Sequence, residues 1–367
     1  MSKPIVDLIP RQLLNLLISN FKSDDISRYR QALMGVAIFG VMFSHWFGFQ
    51  SIKTGFPFDI SVMIVRLVFT EGLLFLSGFG LYYSYSKNSN VKAFYKRRIF
   101  RLYLPFLILS FPLYTFFLFV RDGYGPIDYL SQLTTTYFWL KGNYGGMWYV
   151  SISVVLYILF PCIFGFIFQP QKQGHIWWRF LFSLVIFYTT MFVIRSYFGD
   201  YYSLVKIGVE KIPFFLLGIM FAYMVKDEKI SDKIYLVAVC VVACLYLSLT
   251  GLNYILPNPW IKHFIGITQK LFFMPILCFV FNLLNVAKLG VLVISFFRWF
   301  GKYSLELYVL HLHIYMFFQY SFLNEHLSSL AQASLAMLFA IILCYPVNRG
   351  LSKIIDIIKN GNSYVVS

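Results

Sequence analysis

Two ionisable side chains, His45 and Glu71, lie within long apolar stretches of the sequence. A charge or an imidazole in hydrocarbon costs several kcal/mol unless it faces a cavity or a partner. A histidine held by a carboxylate can act as a general base near neutral pH. We therefore predict a hydrogen bond or ion pair between His45 and Glu71, with Arg66 further out in the same stretch as Glu71. The alternative is an interfacial histidine packed beside Trp46.

A basic segment, KAFYKRRIFRLYLP, follows the stretch that contains Glu71. Arg98 and Arg101 are three residues apart, so they share one helical face, with Pro105 beyond them. Such a pair can clamp phosphate groups through charge-assisted hydrogen bonds. The alternative is that all the cations between residues 87 and 101 only anchor the segment on the cytoplasmic side of a membrane. These cations are Lys87, Lys92, Lys96, Arg97, Arg98 and Arg101.

Later segments add aromatic and histidine candidates. In LELYVLHLHIYMF, His311 and His313 are two residues apart, so they point to different faces of a helix and at most one lines a cavity. Trp148 begins another apolar stretch, where it belongs either to an interfacial aromatic belt or to a surface that stacks on a sugar ring. The remaining histidines, His175, His263 and His326, are expected in loops.

The elements that carry these residues are apolar segments long enough to cross a membrane. With 59% hydrophobic and 13% charged residues, the chain cannot cover a water-facing globule, which excludes a soluble enzyme and a disordered chain. Segments of roughly 20 apolar residues span a hydrocarbon core about 30 Å thick. Their continuity excludes a β-barrel and predicts an all-α, polytopic helical bundle of about ten transmembrane helices. The predicted spans are 32–50, 61–84, 102–120, 148–168, 180–198, 209–225, 234–250, 264–286, 303–322 and 331–348.

Lysine and arginine positions predict the orientation of the bundle. With both termini cytoplasmic, 22 of the 31 Lys and Arg residues lie on the cytoplasmic side, as the positive-inside rule requires. The net charge of +16 then reflects topology and contact with anionic membrane lipids, and no nucleic-acid partner is expected. We predict a cytoplasmic interfacial segment over 1–27, a membrane domain over 28–349 and a cytoplasmic tail over 350–367. The stretch 286–302 is predicted to be a cytoplasmic re-entrant or surface helix.

No bound metal or tightly bound cofactor is expected. Cys240 and Cys244 share a helical face, but no histidine or carboxylate joins them at ligand spacing. The first 22 residues carry two prolines and no small-residue cleavage site, so they do not read as a signal peptide.

The order of these motifs resembles the membrane acyltransferase 3 family. The shared features are a first-span histidine, an FLSGF segment, a basic RRIFRLYLP loop, GGMWYV and KYSLELYVLHLHI, and they extend over roughly residues 28–345. The resemblance implies a ten-span protein of the cell membrane with both termini inside. It also implies O-acylation of surface glycans with cytoplasmic acyl-CoA, so that 28–349 is an acyltransferase domain.

The resemblance also assigns candidate residues. His45 matches the family's histidine, Glu71 its acidic position, and Arg98 with Arg101 its Arg-x-x-Arg element. One position departs from the family, because Met34 stands eleven residues before His45 where the family has Arg or Lys. Arg30 is the nearest substitute, about 60° away from that face of the helix. Residues of the later motifs complete the set as acceptor-binding or neighbouring candidates: Trp148, Glu306, Tyr308 and His311.

Together these features predict an integral-membrane O-acetyltransferase. His45 is the expected base, Glu71 its orienting partner, and Arg98, Arg101 and Arg30 the donor-binding residues for acetyl-CoA, which serves as a substrate. The expected acceptor is a hydroxyl of a cell-surface or exported polysaccharide. The alternative is a transporter, in which the same buried groups line a path for a glycan or lipid-linked sugar without catalysis.

Overall fold

A computed structural model describes residues 19–49, 70–143, 146–168, 175–285 and 288–361. Within these ranges the chain is helical and contains no strand, which confirms the all-α prediction. Most of the predicted interfacial segment 1–27, the beginning of the second predicted span with Arg66, and the end of the predicted tail lie outside the described residues.

Helices of very different lengths make up the described chain. In chain order they are α1 Asp25–Phe49, α2 Thr70–Lys87, α3 Val91–Arg98, α4 Leu104–Val120, α5 Pro126–Leu133, α6 Tyr137–Lys141, α7 Trp148–Ile167, α8 Ile176–Tyr197, α9 Gly199–Val209, α10 Ile212–Lys226, α11 Asp232–Ile255, α12 Pro259–Leu284, α13 Lys288–Lys302, α14 Ser304–Tyr320, α15 Leu323–His326 and α16 Ser329–Gly361. A π-helical turn, Ile99–Tyr103, joins α3 to α4 without a break.

Six helical segments of the described chain are long and apolar enough to cross a membrane. The protein is therefore a polytopic helical membrane protein, while the count of ten and the orientation stay predictions. Each of the ten predicted spans nevertheless overlaps a described helix. The six segments are Val91–Val120, Trp148–Ile167, Ile176–Tyr197, Asp232–Ile255, Pro259–Leu284 and Ser329–Ile358.

Glycines bring α2 and α10 into backbone contact. A Cβ atom added to Gly78 would lie 2.2 Å from the carbonyl oxygen of Phe215, and one added to Gly218 would lie 2.0 Å from that of Phe75. Small residues allow helices to approach this closely inside a membrane, where packing replaces the hydrophobic effect. The glycine of the FLSGF segment is thus a packing position that sets the depth and rotation of α2.

A second glycine contact joins α1 to α13. A Cβ atom on Gly35 would lie 1.7 Å from the carbonyl oxygen of Phe297, and one on Gly301 would lie 1.8 Å from that of Gln31. The stretch 286–302 was predicted to be a re-entrant or surface helix. The described part of this stretch, α13, packs along one face against the first helix, with Gly290, Ile294 and Phe300 buried, and its place relative to the membrane stays a prediction.

A buried polar cluster holds the beginning of α1 against α12. Asn282 donates to Asp25 Oδ2 at 2.6 Å and to the Asn20 carbonyl at 2.8 Å, and it accepts from the Tyr29 hydroxyl at 2.8 Å. These bonds give partners to the Asn282 amide, the Tyr29 hydroxyl and Asp25 Oδ2, which would otherwise be costly to bury. Together with the glycine contact, they fix the position of the helix that carries His45.

Candidate active site

His45 pairs with a second histidine across two helices. The His45 Nδ1 atom on α1 lies 2.9 Å from the His311 Nε2 atom on α14. The His311 Nδ1 atom lies 2.6 Å from the Leu307 carbonyl oxygen, which can only accept a hydrogen bond. His311 therefore carries its proton on Nδ1 and accepts from the His45 Nδ1–H. In neutral His45 this arrangement places the basic lone pair on Nε2.

Glu71 does not orient His45, so the predicted link between them is wrong. Its carboxylate forms an ion pair with Lys211, at the junction of α9 and α10, and accepts a hydrogen bond from the Thr70 hydroxyl at 3.3 Å. The reason is that the lysine at this junction provides a full opposite charge, whereas a neutral imidazole provides only a dipole.

His45 and Glu71 nevertheless line one cavity of about 380 Å³, which we call the His45 cavity. Trp148 and Tyr308 are also part of its wall, as are Gln269 and Lys270 of α12. Trp148 is 6% exposed, so it is not a lipid-facing residue of an aromatic belt. Trp46, the neighbour considered as a packing partner for His45, donates instead to Ser334 at 2.9 Å. His45 thus faces a polar cavity.

Two lysines of this cavity, Lys211 and Lys270, were not predicted. Lys270 is 6% exposed and lies within the predicted span 264–286. The rule that singled out His45 and Glu71, an ionisable residue inside a span, applies equally to Lys270 and would have found it. Lys211 stands near the beginning of the predicted span 209–225, where a cation is easily read as an anchor.

A second cavity, the arginine cavity, opens near the other end of α1. It has a volume of about 550 Å³, and its wall includes Arg30, Met34, Arg98, Arg101 and Lys302. A shallower cavity of about 750 Å³ adjoins it through Arg98 and Arg101. The structure therefore brings all three predicted donor-binding residues into one cavity wall. Cations that only anchor the segment on one side of the membrane would not need to lie together in this way.

Arg30 reaches the arginine cavity beside Met34. Its Nε atom donates to the Leu76 carbonyl at 3.0 Å. Its guanidinium packs against Gly80, where an added Cβ atom would lie only 2.4 Å from Arg30 Nη2. An arginine side chain is long enough to overcome an offset of about 60° on the helix surface. The Arg30 guanidinium therefore provides a positive charge in the cavity wall beside Met34, although position 34 itself is methionine.

Arg98 is positioned by aromatic and hydroxyl contacts. Its guanidinium lies 5.4 Å from the ring centre of Phe94 and 5.9 Å from that of Tyr157, and it donates to the Ser84 hydroxyl at 3.2 Å. Arg101 lies on the π-helical turn between α3 and α4. Such turns often occur at functional sites, because the extra residue per turn redirects a side chain.

Tyr308 separates the two cavities and belongs to the wall of both. Its hydroxyl donates to the carbonyl of Gly146, and its ring centre lies 5.3 Å from that of Tyr149. Gly146 has a φ of +76°, and a Cβ atom there would lie 2.9 Å from Leu312, so this position of the GGMWYV segment requires glycine. Arg30 and His45, one in each cavity wall, are fifteen residues apart on α1, so their Cα atoms are about 22 Å apart along that helix.

The remaining candidates of the KYSLELYVLHLHI segment, and one histidine outside it, lie in different surroundings. Glu306 lines the arginine cavity and accepts a hydrogen bond from Asn348 at 2.6 Å. His313 points away from His45 and packs edge-on against Tyr114, with 5.5 Å between ring centres, as its spacing from His311 predicted. His263 was expected in a loop, but it lies on α12 and hydrogen-bonds the Tyr188 hydroxyl at 3.1 Å.

Metal ligands are not clustered in the described part of the chain. No group of three or more His, Cys, Asp or Glu side chains there is arranged to hold an ion.

Comparison with known proteins identifies the family. A family model described as an acyltransferase domain, that of the acyltransferase 3 family, matches residues 31–349, and the chain belongs to this family. The match includes His45, Glu71, Arg98, Arg101 and His311, while Arg30 immediately precedes it. No curated protein and no solved structure matches the chain.

Proposed function

We propose that this acyltransferase moves an acetyl group from cytoplasmic acetyl-CoA to a hydroxyl of a cell-surface or exported polysaccharide, within the cell membrane. One observation carries the proposal: a histidine pair and a three-arginine cavity lie on opposite sides of a single tyrosine. The first arrangement is suited to deprotonating a hydroxyl and the second to holding a phosphorylated donor.

The donor binds in the arginine cavity. Coenzyme A carries several phosphate groups, and guanidinium groups bind phosphate through paired, charge-assisted hydrogen bonds. Arg98 and Arg101 line both the deep cavity and the shallow one beside it, so they can contact phosphates at its mouth. Arg30 lies deeper, on α1. The long flexible arm of the donor then extends toward Tyr308 and delivers the thioester to His45.

The acceptor binds in the His45 cavity, where Trp148 offers an aromatic wall to a sugar ring. His45 Nε2 takes the proton of the acceptor hydroxyl as its oxygen attacks the thioester carbonyl carbon. The imidazolium that forms keeps its Nδ1–H on His311 Nε2, which stabilises the charge and fixes the ring. Collapse of the tetrahedral intermediate breaks the carbon–sulfur bond, and His45 returns the proton to the CoA thiolate.

Lys211 supplies positive charge for the intermediate. In acyl transfer, charge develops on the carbonyl oxygen, and fixed cations or N–H donors that face that oxygen lower the barrier. The ion pair with Glu71 holds the Lys211 ammonium at the cavity wall. Glu71 thus acts on the reaction by positioning a lysine, which differs from the role predicted for it.

Mass spectrometry of surface polysaccharide tests the proposal. Cells that produce the protein should show an acetyl increment that is missing from cells without it and from cells with His45→Ala. His326→Ala, a change of an exposed histidine on α15, is the matched control and should retain the increment. A transporter would behave differently, because its loss removes the polymer from the surface instead of leaving it there without acetyl groups. Loss of the polymer itself from the surface of cells without the protein would therefore overturn the proposal.

A further inference from the structure

A groove between α7 and α8 is separate from the two cavities that flank Tyr308. Its volume is about 470 Å³, and none of its described lining residues belongs to the His45 cavity or to the arginine cavity. We infer that a phospholipid of the surrounding membrane occupies this groove, with its phosphate on Arg179 and an acyl chain along the apolar wall. We call it the Arg179 groove, and its wall consists of Phe166, Trp178, Arg179, Leu181, Phe182 and Val185.

The apolar wall of the Arg179 groove lies on the outside of the described protein. Its five apolar side chains are between 43% and 70% exposed. The two helices that form it, α7 and α8, are both long and apolar enough to cross a membrane. The ring of Phe166 on α7 lies 6.2 Å from that of Phe182 on α8, so side chains of both helices border the groove. In a bilayer, lipid chains cover such a surface, because they are as apolar as the side chains themselves.

Arg179 has no partner within the described protein. Its Nη1 atom is buried without a hydrogen-bond acceptor, and neither of the two ion pairs among the described residues includes this side chain. A buried guanidinium N–H without an acceptor is costly. The side chain as a whole is only partly buried and belongs to the groove wall, so a ligand in the groove can contact it. A phosphate supplies the missing acceptor and the opposite charge, and its oxygens suit the planar guanidinium.

The depth of Arg179 in the membrane matches that of lipid phosphates. The residue lies in the first turn of α8, whose 22 residues extend about 33 Å, slightly more than the hydrocarbon core of about 30 Å. That turn therefore lies at the boundary with the lipid headgroups, where tryptophan is enriched, and Trp177 and Trp178 are both exposed there. Val185 lies six residues further, about 9 Å deeper along the helix. A lipid whose phosphate binds Arg179 thus has an acyl chain at the level of the groove.

Native mass spectrometry of the purified full-length protein in detergent tests the inference. The probes are dioleoyl phosphatidylglycerol and dioleoylglycerol, which have the same chains but differ in the presence of a phosphate. We expect the phospholipid to bind tenfold or more tightly than dioleoylglycerol, as for a hydrogen bond to a charged group. The measurement needs neither acyl donor nor acceptor, so its outcome is independent of the proposed function.

Variants locate the bound lipid. Arg179→Gln should remove the preference for the phospholipid, and Arg179→Lys should retain it. Arg179→Met serves if the Gln variant does not fold. Val185→Trp places a larger side chain in the groove at an exposed position and should weaken binding of the phospholipid.

Arg195→Gln is the matched control, because Arg195 lies in the last turn of the same helix. Its guanidinium already packs against aromatic rings of the protein, 5.2 Å from the ring centre of Trp260 and 5.9 Å from that of Tyr202. This variant should bind both probes as the wild type does.

Four results overturn the inference. These are equal affinity of the wild type for the two lipids, no retention of either lipid, a preference that survives in Arg179→Gln or Arg179→Met, and unchanged phospholipid binding by Val185→Trp. The same spectra report the oligomeric state. A stable dimer that Val185→Trp dissociates would also overturn the inference, because a second copy of the chain would then cover the groove.

Discussion

His311→Ala is the substitution that most directly probes the histidine pair. It removes the acceptor of the His45 Nδ1–H, which lies 2.9 Å away, without changing the base itself. His311 is 1% exposed, and its other nitrogen bonds the Leu307 carbonyl, so its ring is fixed before any substrate binds. The variant therefore leaves the His45 proton without the acceptor that holds it on Nδ1.

The expected loss of rate follows from the charge that forms on His45 during the reaction. A hydrogen bond to a charged group contributes about 1.5 to 3 kcal/mol, and His45 is charged only when it has taken the acceptor proton. Because about 1.4 kcal/mol corresponds to a tenfold change in rate, kcat should fall roughly tenfold to a hundredfold. His45→Ala removes general-base catalysis entirely and should lower kcat by on the order of a hundredfold to ten-thousandfold.

The assay compares initial rates of acetyl transfer by the purified protein for the two single variants and the double variant. If His311 acts only through His45, the double variant should be no slower than His45→Ala, because residues that act as a unit are not additive. His313→Ala is the control, since this buried histidine lies on the same helix but packs against Tyr114. A double variant whose loss is the product of the two single losses would show that His311 does not act through His45.

Three further predictions concern donor binding, packing and topology. Replacing Arg98 and Arg101 with Gln removes two phosphate contacts, so the affinity for acetyl-CoA measured by titration should fall by a factor on the order of a hundred, and unchanged affinity would return both residues to the role of topology anchors. Gly218→Leu places a side chain 2.0 Å from the Phe75 carbonyl oxygen and should destabilise the protein by roughly 1 to 3 kcal/mol or prevent folding in a thermal-unfolding assay. Gly251→Leu, where a Cβ atom meets nothing within 4 Å, should have little effect. Reporter fusions after residues 95 and 228 should report the cytoplasm and fusions near 130 and 256 the outside, and a reversed pattern at any two sites would contradict ten spans.

Much of the fold could be predicted because a membrane-spanning helix requires a long run of apolar residues, which is visible in the sequence. The ten spans predicted from apolar runs each overlap a described helix. The reason is that a helix in a bilayer must be apolar along the whole length that lies in the hydrocarbon core. Helical periodicity likewise separated His311 from His313, because a two-residue step turns a helix through about 200°. Both predictions depend on a single helix and its immediate surroundings.

Contacts between helices could not be predicted in the same way. His45 and His311 are 266 residues apart, and no periodicity indicates which two of many apolar helices lie side by side. The same limit applies to the pairing of Glu71 with Lys211, 140 residues away, for which the sequence predicts the nearer candidate His45. The position of Arg30 was underestimated for a different reason: helix geometry places Cα atoms, whereas a long side chain reaches beyond its own face.

Acetyl-CoA bound at the arginine cavity is expected to donate its acetyl group at His45, on the other side of Tyr308. Vesicles that contain the purified protein, with labelled acetyl-CoA on one side only and a glycan acceptor on the other, measure this directly when protein orientation has been established. Labelled acetyl groups should appear on the acceptor when the donor is on the arginine-cavity side, and His45→Ala should abolish this transfer while acetyl-CoA still binds. Full transfer by His45→Ala, or transfer only when donor and acceptor share a side, would contradict transfer from the arginine cavity to His45.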